Sequence, residues 1–216
     1  MRRSIVILGI ALALSAPVVA QAAPPEKFTF EGETATAEWV VEDGEQVTFA
    51  GVFVNKGTFT FGGDEFEDVF IDFFAFSFGP DGITDVFGFD SVDPDDIEID
   101  TTGGAFSAAA AAELDLEGQS CTFDEEDEIC EDIGPFAVTI DVVWDDATGR
   151  IYPSSFSGRT LSPMGFDAFI SKSHARFTTA TGSISGDVPL GLTLGESDQA
   201  SIARNSDMSR FRFIAG

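Results

Sequence analysis

Five consecutive carboxylates, Asp124-Glu125-Glu126-Asp127-Glu128, stand between the only two cysteines, Cys121 and Cys130. Anions packed this closely repel one another unless water, salt or a cation screens them. Ca²⁺ is the cation such a set suits, since it takes about six to eight oxygen ligands, mostly carboxylates and carbonyls. Asp90, Asp93, Asp95 and Asp96 form a second cluster, and Asp64, Glu65, Glu67 and Asp68 a third. Ligands for a Ca²⁺ site would come from Asp124, Glu125, Asp127 and Glu128, with Asp90, Asp93 and Asp95 as the other candidates. None of these runs follows the spaced Asp-x-Asp-x-Asp-Gly loop. A solvated acidic loop is the competing reading.

The opposite charge gathers at Lys172, His174 and Arg176, which alternate and so share one face of a strand. They would either face the outward acids Glu113, Asp115, Glu117, Asp141 and Asp145 in a cross-strand ladder, or bind an anionic glycan or carboxylate. A ladder pair would contribute a few tenths to about 1 kcal/mol. Catalysis finds less support. His174 is the single histidine, and Ser173 points to the other face of its strand. No Gly-x-Ser-x-Gly elbow, His-Glu-x-x-His or phosphate-binding glycine loop occurs. A carboxylate pair for glycoside hydrolysis remains open only because 38 acids supply so many pairs.

Arg2 and Arg3, the apolar run Ile5 to Leu14 and the small-residue site Ala20-Gln21-Ala22 read as an export leader, residues 1–22. The protein is then secreted or periplasmic, and soluble after cleavage. In an oxidising compartment Cys121 and Cys130 pair as a disulfide. Closing so short a loop contributes roughly 2–3 kcal/mol through the unfolded state.

Charge is unevenly spread. Residues 23–149 carry 33 acids against Lys27 and Lys56, whereas 150–216 carry seven Lys or Arg against five acids. A formal net charge of −27 repels nucleic-acid phosphates and anionic membrane surfaces. A protein or glycan outside the cell is the partner class that remains. The acidic surface fits either a saline habitat or abundant divalent cation.

The elements that must position these groups read as strands. Phe136, Val138, Ile140, Val142 and Trp144 fall on one parity, without Gly or Pro between them. Ala35, Ala37, Trp39 and Val41 share another face, and Glu42-Asp43-Gly44 is a hairpin turn signal. Asn55-Lys56-Gly57 reads as a further turn. Val69 to Phe78 is apolar on both parities, as in a strand covered on both sides. Phe106 to Leu116 contains five consecutive alanines, which favour a helix. The alternation Leu114-Asp115-Leu116 and Gly103-Gly104 before the run favour a strand instead. Ala200 to Ala203 reads as a short strand within a loop. The sum is an all-β chain: an antiparallel β-sandwich of roughly 10–13 short strands, with residues 23–216 as one domain.

Taken together, Phe136-x-Val138-x-Ile140-x-Val142-x-Trp144, Thr148-Gly149, and Ser171 to Gly186 with Arg176, Ala180 and Gly182 resemble a family of uncharacterised secreted bacterial all-β proteins. Ala35-x-Ala37 and Val69-Phe70-Ile71 are similar to the first half of that family. The resemblance implies one domain and no catalytic residues. The sequence reading is therefore an exported non-catalytic β-sandwich with a binding or structural role. The alternatives are a Ca²⁺-binding surface or adhesion module, an outer-membrane β-barrel, and a glycoside hydrolase. Against the barrel stand a C-terminus, Ile214-Ala215-Gly216, that runs past the last aromatic, strands that read as short, and charge on the face lipid would cover.

Overall fold

The computed structural model describes residues 26–213 apart from 81, 124–127 and 163–164; the export leader expected at 1–22 lies outside them. The described residues are all-β and antiparallel. Eleven strands follow in chain order: β1 (Glu26–Asp43), β2 (Gln46–Phe61), β3 (Asp64–Gly79), β4 (Gly82–Ser91), β5 (Ile97–Asp100), β6 (Phe106–Phe123), β7 (Glu128–Ala147), β8 (Tyr152–Ser162), β9 (Gly165–Thr178), β10 (Ala180–Gly186) and β11 (Gln199–Phe213).

These strands do not divide into the two sheets expected of a sandwich. They join in one hydrogen-bonded path, β10-β7-β6-β4-β3-β2-β1-β11-β9-β8, with β5 added to β6. Nor are most of them short. β1, β2, β3, β6, β7 and β11 run 15–20 residues, or about 50–65 Å at the usual strand rise. The sheet curls, so that β7 touches β9 and β11 from the far end of the path. Trp144 on β7 reaches across this interior, its Nε1 donating to the Thr36 carbonyl on β1 at 2.7 Å.

The core lies on the inner side of the curl and follows the period-two pattern. Val138, Ile140, Val142 and Trp144 are buried on β7, and Ala35, Ala37 and Trp39 on β1. The alanine run is strand, with a steric reason. Ala108, Ala110 and Ala112 lie directly beside Trp144, Val142 and Ile140, so small residues on β6 leave room for the larger ones next to them. Segment 187–198 ties the β10 edge to β1. Ser197 N donates to Ala180 O at 2.7 Å and Asp198 N to Glu38 O at 2.9 Å, and the Trp39 indole donates to Gly195 O at 3.0 Å.

Three local expectations change. Asn55-Lys56-Gly57 is not a turn, since β2 runs straight through it. Gly57 instead makes room for the Phe30 ring, which would lie 2.3 Å from any Cβ there. Val69 to Phe78 is covered on one side only: Ile71, Phe73 and Ala75 are buried, whereas Phe76 and Phe78 are exposed. Ala200 to Ala203 belongs to the long strand β11, which pairs with β1 and β9 over most of its length.

Candidate anion-binding pocket

Lys172, His174 and Arg176 lie on β9, on the parity that faces the inside of the curl. Their register partners on β11 are Ser206, Arg204 and Ile202, and Ile202 is fully buried in the core. Arg204 thereby joins Lys172, His174 and Arg176 as a fourth basic residue. It lies more than 25 residues away in sequence, and no local pattern marks it as their neighbour. Lys172, His174, Arg176 and Arg204 form one wall of a pocket of about 440 Å³. The loop residues Thr101, Thr102 and Gly103 line it too, with Phe106, Ile151, Asn205 and Ser206.

The four basic residues have different tasks. Arg176 is buried and structural. Its Nη1 donates to Ala147 O at 2.9 Å and to Gly104 O at 2.5 Å, and its guanidinium lies 4.5 Å from the Phe106 ring centroid. This fixes the loop before β6 against β9, a use suited to a planar, always charged group. Its Nε has no acceptor among the described residues. Lys172, His174 and Arg204 are exposed and make no hydrogen bond or ion pair with described residues.

One carboxylate stands close to this wall. Glu33 on β1 is the register partner of Arg204. It accepts hydrogen bonds from the Thr101 backbone N–H and hydroxyl, which turns part of its charge toward the loop. Asp100, at the end of β5, is occupied in the same way. The Thr102 hydroxyl and backbone N–H donate to its Oδ1 at 2.7 and 2.8 Å, and these bonds lower its pKa.

The salt-bridge ladder does not form. Glu113, Asp115 and Glu117 lie on β6, whose neighbours are β4, β5 and β7, whereas β9 pairs with β8 and β11. The cations face inward and those acids outward.

The acidic candidates remain apart. Among the described residues no three of His, Cys, Asp and Glu converge on a metal position. Asp90 lies one residue before the end of β4, and Asp93 caps its own turn by accepting from Asp95 N at 3.0 Å. The neighbouring carbonyls of Pro94 and Ile97 each receive the Lys56 ammonium at 3.0 Å, so the cation held in this loop is a lysine. Asp124, Glu125 and Asp127 lie outside the described residues, and Glu128 opens β7. Beside them Cys121 and Cys130 are disulfide-bonded, their Cα atoms 4.0 Å apart and in direct register.

No protein-family model and no curated protein matches the chain. Among solved structures, it is similar to the β domain of the Bordetella autotransporter Brka at 11% sequence identity and a TM-score of 0.19, covering 89% of this chain and 100% of that one. A likeness at that score carries no argument for fold or function.

Proposed function

We propose that the protein is an exported, non-catalytic binding module whose inner pocket takes an anionic group, a carboxylate borne on a sugar or other small molecule. One observation carries this reading. In a chain of net charge −27, three of the few cations, Lys172, Arg176 and Arg204, meet with His174 on one pocket wall, and the charges of Lys172 and Arg204 are exposed and unpaired among the described residues. Charge-assisted hydrogen bonds from guanidinium and ammonium to carboxylate are about twice as strong as neutral ones. Arg204 supplies a two-pronged donor and Lys172 a point charge. Ser206 on the same rim supplies a neutral partner for a hydroxyl.

The arrangement favours binding over turnover. His174 faces Arg204 and Pro153 across its strands, so neither register partner is a carboxylate that would orient it as a base. The export reading rests on the leader and the disulfide. The outward acids Glu113, Asp115, Glu117 and Asp141 on adjacent strands argue for water rather than lipid on that side. Isothermal titration of the mature protein with glucuronate and with glucose tests the function. Binding of the acid alone supports it, and equal binding of both, or of neither, refutes it.

A further inference from the structure

The outer side of the sheet carries a second feature that the pocket does not use. Along β2, β3 and β4 the outward rows are phenylalanine-rich: Phe49 beside Phe76, Phe74 beside Phe87, and Phe53 beside Asp72 and Phe89. Phe87 and Phe89 are 56% and 61% exposed, more than packing within the chain requires. Ordinary soluble surfaces scatter such residues singly, and a contiguous patch marks an interaction site.

The charge on this face has one sign. The row Phe49-Phe76 continues through Asp85 and Gln119 to Asp132, and the row Phe74-Phe87 continues to Glu117. Asp85, Glu117 and Asp132 line a groove of about 540 Å³ with Phe87 at its edge. On the β1 side the same rows end in Val40 and Glu38. Asp72 stands among the rings, and no Lys or Arg occupies these rows. Asn55, 4% exposed and diagonal to Asp72, has an Nδ2 with no acceptor among the described residues.

We infer that this face docks a cationic amphipathic segment of another protein, its apolar side chains on Phe74, Phe87 and Phe89 and its Lys or Arg side chains in the groove of Asp85, Glu117 and Asp132. Charge complementarity selects this occupant. A second copy would oppose the same acids, and anionic headgroups would meet like charge. A cation over a phenyl ring adds attraction that a neutral ligand lacks.

The test titrates the mature protein with a synthetic amphipathic peptide of Leu and Lys, and with its counterpart of Leu and Glu. The Leu–Lys peptide is expected to bind and the Leu–Glu peptide not. Asp85→Asn combined with Glu117→Gln is expected to weaken binding about tenfold, as is Phe87→Ser, which removes an exposed ring and no core. Glu98→Gln combined with Asp146→Asn, an exposed acid pair outside the groove, should stay within about twofold of the parent. Equal loss in that control pair would reduce the effect to diffuse charge and overturn the proposal. So would no loss in Phe87→Ser, binding of the Leu–Glu peptide, uptake onto phosphatidylcholine vesicles, or self-association that Phe87→Ser abolishes.

Discussion

Arg204 on β11 and His174 on β9 are direct register partners, and both project to the inner side of the curled sheet. Their proximity rests on the pairing of β9 with β11, which brings Lys172, Arg176 and Arg204 together around one pocket. Arg176, one register step along, anchors the loop that closes the pocket.

Removing that anchor should be costly. Arg176→Met strands two carbonyl acceptors and the contact with the Phe106 ring, and orphaned buried polar groups cost about 1–3 kcal/mol each. We expect a loss of about 2–4 kcal/mol, read as a lower denaturation midpoint with an unchanged slope. Arg176→Lys should recover only part of it, because an ammonium cannot reproduce the planar fork.

Asp72 gives a pH-dependent prediction. Burial beside the phenylalanines raises its pKa above the ordinary aspartate value. The native state therefore holds this proton more readily than the unfolded chain, so the ionised carboxylate lowers stability at neutral pH. That cost disappears as pH falls through the raised pKa. Asp72→Asn should raise Tm at neutral pH and match the parent below the aspartate range. Asp100 has the opposite sign: hydrogen bonds from the Thr102 side chain and backbone lower its pKa. Its contribution is present above the ordinary aspartate range and lost as pH falls through the lowered value.

Paired substitution of Cys121 and Cys130 by Ala should cost about 2–3 kcal/mol, the closure entropy of a short loop. The far-UV circular dichroism should keep its strand signature, since the β6–β7 ladder extends from the disulfide as far as Phe106 and Ala147. Loss of the strand signal would show the bond to be needed for the fold itself.

Much of the fold was legible because the inner face is regular. Phe136 to Trp144 reads as a strand from its period alone, and the alanine run resolves once Leu114-Asp115-Leu116 is weighed against helix propensity. What escaped was non-local. Nothing near Ala35 says that it pairs with Ile202, so one curled sheet read as two stacked ones. Gly57 looked like a turn because glycine's tolerance of a turn and its lack of a Cβ beneath Phe30 leave the same trace in sequence. Val69 to Phe78 looked doubly covered because an apolar outward row implies burial by default. Lys172, His174 and Arg176 were visible as one face. Their fourth member and the direction of that face depend on strand pairing.

The most direct test of the pocket is the dissociation constant for glucuronate in the parent and in Arg204→Gln, measured at low salt. Losing one charge-assisted contact of about 1.4 kcal/mol predicts at least tenfold weaker binding in the variant, with a similar loss on adding salt to the parent. An affinity unchanged by the substitution, or one indifferent to salt, would contradict the assignment of this wall as an anion site.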